Sequence, residues 1–254
     1  MTKIILSGCN GHLATNIIEA ARLDGAIEIA AGVDVNPEKR SNFPVYADIA
    51  EFSGDADLVV DASHPSALHG LISWCLAKGC GLIVATTGHT PEQLAELQEA
   101  AKKIPVFRSA NMSLGIALLT ELSRRAATLL GSAYDVEIIE KHHNRKLDAP
   151  SGTALAIADA LSDALPYQAQ YVYDRQSVRR PRSKTEIGIS SVRGGTIVGE
   201  HTVLFAGIDE TIELTHRAQS RAVFANGVVK AIHYMEGNAP GYYDMPQLVD
   251  AILA

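Results

Sequence analysis

The stretch EKHHNRKLDAPSGTAL, from Glu140 to Leu155, sets two histidines, an arginine and a lysine directly before what reads as a helix start. The whole chain carries a net charge of -7, so a local concentration of imidazoles and cations points to an anionic ligand. DAPSGTALAIADAL reads as a helix that Ser151 or Thr153 can cap, with Gly152 exposing backbone N–H groups. The positive end of such a helix is preorganised for a carboxylate, and Lys146 upstream adds a point charge. One carboxylate is therefore expected among the Gly152 and Thr153 amides, the Thr153 hydroxyl and Lys146. Reducing a polarised C=C or C=N bond needs a hydride on one atom and a proton on its neighbour. Imidazole is suited to the second task, which assigns proton chemistry to His142 and His143. A zinc site is disfavoured, because no cysteine or third histidine stands at ligand spacing and the flanking lysines oppose a cation. A surface position stays open for one of the two histidines. Asp148 is expected to orient the loop or pair with a local cation, and Arg145 to be solvated charge.

A second constellation lies near the N-terminus. ILSGCNGHLATNIIEAA places Gly8 and Gly11 between a first strand and a first helix. Glycines there permit a tight turn and let the backbone approach a pyrophosphate on the helix's positive end. The spacing is GxxGxxA, ending in Ala14, which taken alone is a weak signal. Asp34, about twenty residues past the loop at the end of the second strand, strengthens it, because an acid there accepts hydrogen bonds from an adenosine ribose. Its other reading is a helix cap or turn former. A carboxylate repels a 2'-phosphate, so NADH is the favoured cofactor; Lys39 and Arg40 nearby keep NADPH open. Ala85, Thr86 and Thr87 follow one buried strand, and Ser109, Ala110, Asn111 and Met112 another. Small and hydroxyl residues at such strand ends suit a crevice for a flat ring. HPS at His64 to Ser66 reads as a Pro-initiated helix start.

These residues need a scaffold, and the first ~110 positions supply one by alternating short apolar runs with helical patterns. Strands are expected at Lys3 to Ser7, Ile27 to Asp34, Asp57 to Asp61, Gly81 to Thr86 and Pro105 to Arg108. That order implies an α/β, Rossmann-like domain with a parallel sheet covered by helices. After Asn111 comes a long helix, the strand DVEIIEKH, the opening cluster and its helix, an irregular stretch, and three strands: EIGISSVR, TIVGEHTVLFAG and ETIELTHRA. Gly194-Gly195 and Gly207 to Asp209 separate those three, which predicts a meander of hairpins in an α+β domain with a largely antiparallel or mixed sheet. The helix FANGVVKAIHYM and the tail are expected to return to the first domain. The boundaries are therefore 1–112 with 222–254 for dinucleotide binding, and 113–221 for substrate binding and oligomerisation.

Composition excludes several classes. With 47% hydrophobic and 20% charged residues in 254, the chain is of ordinary globular make-up. No apolar run approaches the ~20 residues a membrane helix needs. Its net acidity argues against nucleic acid, although DRQSVRRPRSK is locally basic. The N-terminus reaches the glycine loop at once, leaving no room for a targeting peptide, and Cys9, Cys75 and Cys80 lack any CxxC spacing. Both features point to a cytoplasmic protein with reduced, packed thiols.

Assembled in this way, the chain resembles the 4-hydroxy-tetrahydrodipicolinate reductase (dihydrodipicolinate reductase) family over essentially its whole length. EKHHNRKLDAPSGTAL is similar to the family's HHxxKxDAPSGTA signature; SVRGGTIVGEHTVLFAG, TTG and FANGVVKA also resemble family segments, each at its place in the family's order. The resemblance implies a reductase of lysine and diaminopimelate biosynthesis that uses NAD(P)H, with a second-domain sheet that builds a homotetramer. It assigns His142 as general acid/base and Lys146 as both catalytic and substrate-contacting. His143, Gly152 and Thr153 would bind a dicarboxylate. Gly8, Cys9, Asn10, Gly11, His12, Leu13, Asp34, Ala85, Thr86, Thr87 and Ser109 to Met112 would carry the cofactor, with no metal. Two departures stand out: Ala14 and Ala85 replace family glycines, each expected to add a methyl near the cofactor. An aspartate-like amino-acid dehydrogenase would explain the loop and a histidine acid, but not the PSGT anion site. A non-catalytic dinucleotide sensor would leave His142 and Lys146 without a role.

Overall fold

Strand formation follows the apolar runs and helix formation the amphipathic ones. In the computed structural model, which describes residues 1–38 and 42–253, the chain opens with β1 (Thr2–Ser7), α1 (His12–Asp24), β2 (Ile27–Val33), β3 (Val45–Tyr46) and β4 (Leu58–Asp61). It continues through α2 (Leu68–Lys78), β5 (Gly81–Val84), α3 (Pro91–Ala101), β6 (Pro105–Arg108) and α4 (Leu114–Leu130). Then come β7 (Asp135–His142), α5 (Gly152–Ala164), β8 (Gln170–Val172), β9 (Glu186–Arg193), β10 (Gly199–Ala206) and β11 (Thr211–Ala218). The described chain ends in α6 (Ala222–Met235), β12 (Gly241–Tyr243) and α7 (Met245–Leu253). It divides into two units, Met1–Leu114 with Arg221–Ala254, and Gly115–Ser220.

The first unit is a parallel sheet in the order β12-β6-β5-β4-β1-β2-β3. Its first six strands have the Rossmann order, which reverses between β1 and β4 and opens a crevice at their carboxyl ends. Every residue of β4 and β5 is buried, as expected for strands covered on both faces. Helix α1 turns Ala14, Ile17 and Ala21 inward and stops at Gly25, whose φ of 73° only glycine adopts without strain. The returning α6 packs against α1. A Cβ on Gly227 would stand 1.6 Å from the Met112 carbonyl oxygen, so glycine is what lets this helix lie on that backbone.

The second unit is a five-stranded mixed sheet in the order β11-β10-β7-β9-β8. Along the central β7, Val136, Ile138, Glu140 and His142 alternate inward. The apolar pair joins Ile157, Leu161, Ile187, Ile189, Val203 and Phe205 in one core. The expected meander is corrected here. Of these three strands, only β10 and β11 pair as a hairpin, turning through Asp209 at φ 63°. Strands β9 and β10 flank β7, parallel and antiparallel to it, and do not touch. Gly194 and Gly195 bond instead to the chain leaving β7, with Gly194 N–H donating to His142 O at 2.9 Å. A glycine pair marks a reversal without saying which strands it joins, and the reversal here spans two strand spacings, about 10 Å. The short β3, β8 and β12 were not foreseen; two or three residues carry too little periodicity to be seen.

Candidate active site

In the second unit, the inward alternation of β7 puts a carboxylate and an imidazole where the apolar row ends. Glu140 is fully buried and His142 is 9% exposed. Glu140 Oε2 lies 2.6 Å from His142 Nδ1, and beside a carboxylate that nitrogen is the donor. Arg193 reaches across from β9 and grips both oxygens, Nη1 donating to Oε2 at 2.8 Å and Nη2 to Oε1 at 2.6 Å. The Ser151 amide donates to Oε1 at 3.1 Å. Burial alone would push this carboxyl up, but Arg193, Ser191 and His142 outweigh it and hold it down at about 2. Glu140 is therefore an anion, with all four lone-pair positions taken.

Ser151 joins this group to the helix behind it. Its hydroxyl accepts from Ala154 N–H at 3.1 Å, which makes it the cap of α5, and sits 2.9 Å from His201 Nε2. Of the two expected caps, Ser151 serves; Thr153 lies inside the first turn. His201 is buried against the edge of the His142 ring, with centroids 5.2 Å apart. Burial first, and then the charge of His142, push its imidazole down to about 4, so it stays neutral. Gly152 and Thr153 supply the first amides of α5, where the helix's positive end lies, and the space at the Gly152 Cα is open to at least 4 Å. Lys146 Nζ is 2.8 Å from Asp148 Oδ1, the local pairing expected of Asp148. His143 follows His142 half-buried, and Arg145 is exposed. The sheet register and this loop thus bring His142, Lys146, Gly152 and Thr153 into one unit, together with Glu140, Arg193 and His201, to which no role had been given. Glu140 was legible as a second inward residue two positions before His142; Arg193 and His201 depend on strand pairing that spacing alone does not reveal.

In the first unit, the glycine loop closes tightly. Gly8 sits at φ 75°, and any Cβ there would come 2.5 Å from Ala62 O. Gly11 caps α1 with no side chain of its own, leaving the helix's positive end facing the loop. Asp34 accepts from Asn10 N–H and Asn36 N–H, each at 3.0 Å, so it pins the loop as well as ending β2. Gly8, Gly11, Val33, Asp34, Ser63 and His64 line a cleft of about 300 Å³. His12 is exposed and Leu13 half-buried at the start of α1. Cys9 turns away, packing where a Cβ on Gly32 would meet its Sγ; burial and then Asp34's charge push its thiol up to about 11. Its backbone is what it offers a ligand.

Thr86 is buried, and its hydroxyl accepts from Ser63 N–H at 3.0 Å; Thr87 is exposed. Ser109 and Asn111 bond to each other, Ala110 is exposed and Met112 is buried. The Ala14 methyl is 0% exposed inside the helix–sheet layer, the place where the third small residue governs packing. Ala85 is buried as well, its N–H donating to Asp61 O at 2.9 Å. His64 caps the short helix Pro65–Ala67 through Nδ1. Lys39 and Arg40 lie outside the described residues. Among the described residues no group of histidine, cysteine and acidic side chains could hold a metal, and no helix is long and apolar enough to cross a membrane.

A Rossmann sheet with a glycine loop, followed by a unit carrying an oriented histidine beside a lysine and a helix N-terminus, defines a two-unit, dinucleotide-dependent oxidoreductase. Comparison with known proteins narrows the class. Family models described as dihydrodipicolinate reductase, N-terminus and C-terminus, match residues 2–112 and 115–249. The chain belongs to the dihydrodipicolinate reductase family. It is 47% identical to the 4-hydroxy-tetrahydrodipicolinate reductase of Caldanaerobacter subterraneus over 98% of both chains. It is 45% identical to that of Clostridium tetani, over 99% of this chain and 98% of the relative. Among solved structures, the dipicolinate-bound dihydrodipicolinate reductase from Paenisporosarcina sp. TG-14 superposes with a TM-score of 0.80 at 25% identity, covering 96% of this chain and 97% of that one.

Proposed function

We propose that this chain reduces 4-hydroxy-tetrahydrodipicolinate to tetrahydrodipicolinate in the diaminopimelate route to lysine. The observation that carries the reading is the family match across both units, joined to the His142–Lys146–Gly152 constellation at the head of α5. A nicotinamide cofactor supplies the hydride. The residues fit such a group: Gly8 tolerates no Cβ, Gly11 leaves the α1 terminus bare, and Asp34 stands at the rim of the cleft. NADH is the proposed coenzyme, on Asp34's charge. The loop from Gly8 to Leu13, the Ala85 to Thr87 segment and the Ser109 to Met112 segment would position it.

In the second unit, Lys146, His143 and the amides of Gly152 and Thr153 would hold a ring carboxylate, and His142 would pass a proton from Nε2 to the atom beside the one reduced. Asp148 now occupies Lys146, so a substrate carboxylate would displace one ion-pair partner by another. A homotetramer built on the second unit's sheet remains the proposed assembly, in keeping with the exposed Val192 of β9.

Coenzyme oxidation followed at 340 nm decides the function. Turnover with the imine made by the preceding synthase, none with oxaloacetate plus ammonia, and a fall in kcat of ~10²–10⁴ in His142→Gln with coenzyme affinity unchanged are expected. Turnover with oxaloacetate plus ammonia, and none with the imine, would return the amino-acid dehydrogenase reading.

A further inference from the structure

Glu140 belongs to no expected set of catalytic or ligand-binding residues, yet its buried carboxylate receives four hydrogen bonds. Two bonds come from Arg193, one from the Ser151 amide and one from His142. Such a group cannot swing: the guanidinium fork fixes its plane, and Arg193 is itself tied by Nη2 to Asp148 O at 2.6 Å. The Asp148 carbonyl belongs to the loop that carries Lys146, so one guanidinium ties the histidine's partner to the lysine's loop.

The other face of the imidazole is built as well. Gly199, at the start of β10, leaves room where a Cβ would approach His142 Nε2 to 3.2 Å. The charged and titratable groups around the ring are Glu140 from β7, Arg193 from β9, His201 from β10, with His216 of β11 across from it, and Lys146 and Asp148 from the loop. His201 stays neutral, and Lys146 and Asp148 pair with each other, so Glu140 is the anion in contact with the ring.

We infer that Glu140 is a positioning residue for the reaction: its carboxylate, clamped by Arg193, holds one ring proton of His142 on Nδ1, so that Nε2 is the atom that donates, and Gly199 keeps the approach to Nε2 clear. A neutral imidazole otherwise divides between two tautomers, only one of which leaves Nε2 ready to be recharged by solvent. This role rests on the reductase reading for its effect on rate, but not for its effect on the ring.

Long-range proton–nitrogen correlation spectra of the full chain, with the His142 signals identified by their loss in His142→Gln, read the tautomer of the neutral ring. Wild type is expected to hold the proton on Nδ1. Glu140→Gln should move the population toward Nε2 and lower kcat roughly 10–100-fold, with KM and the affinity for dipicolinate within about threefold. Arg193→Gln keeps the carboxylate and should keep the Nδ1 tautomer, even where it loosens the loop. A wild-type tautomer in Glu140→Gln, or an equal change in both variants, overturns the inference. If Glu140→Gln does not fold, Gly199→Ala takes its place: crowding Nε2 should lower kcat while KM holds, and an unchanged kcat refutes the assignment of Nε2. Should wild type fail to reduce the imine, the reductase reading falls, while the spectra still decide what Glu140 does.

Discussion

Asp34 performs two tasks with one carboxylate. Its Oδ2 accepts the Asn10 amide that shapes the glycine loop, and its Oδ1 accepts the Asn36 amide; each oxygen retains a lone pair for a ribose hydroxyl. The two readings of this residue, turn former and ribose acceptor, are therefore compatible. Asp34→Ala removes the loop contact for either coenzyme, at about 1 kcal/mol, and the ribose contact for NADH alone, at ~1.5–3 kcal/mol. NADH affinity should thus fall by more than NADPH affinity, and the preference should move toward NADPH by roughly tenfold or more, read by calorimetry with both coenzymes. Equal losses would leave Asp34 with the loop alone.

At the scale of elements, the close approach of α6 to the Met112 carbonyl is the most demanding packing in the first unit. Gly227→Ala must push the helix off that backbone, because the new carbon would start 1.6 Å from an oxygen that cannot rotate away. A loss of about 3 kcal/mol or more is expected, seen as a lower urea midpoint for the first unit; an unchanged midpoint would mean that the helix has room to move. The same elements show what a sequence makes legible. The strands KIILS, DLVVD and PVFR, and the alternation of DVEIIEKH, are visible because burial imposes a period on them. So was the PSGT helix start, since capping is local chemistry. Which strands sit side by side was not visible. Arg193 meets Glu140 only because β9 runs parallel to β7, with Arg193 opposite His142, and no spacing within either strand encodes that pairing. The direction in which Cys9 points was hidden for the same reason, being set by Gly32 and Phe43 on other elements.

For the molecule as a whole, two buried groups in the second unit should govern acid stability. His201 has its folded pKa depressed to about 4, so its contribution is full above the ordinary imidazole value near ~6.5 and is lost as pH falls from there toward 4. Glu140, held at about 2, contributes fully above the ordinary carboxylate value near ~4.3 and loses that contribution as pH falls toward 2. Each window is worth up to ~3 kcal/mol. Asp61, in the first unit, runs the other way, since burial raises its carboxyl and its protonation favours the folded state. Hydrogen-exchange protection of β7 and β9 amides should therefore decline below about pH 6.5 in wild type, and only below about pH 4.5 in His201→Gln. The same onset in both proteins would assign the upper window to another group.

The return of α6 and β12 to the first unit has a consequence for how the protein comes into being. A ribosome delivers β1 through β6 early, but the helix that covers α1 and the strand that borders β6 arrive only after Gly115–Ser220 has emerged. The second unit closes its sheet from contiguous chain, whereas the first must wait, with the apolar flank of α1 uncovered, for the last part of the described chain. The later-made second unit can thus mature before the first, whose α6 and β12 are added only after it.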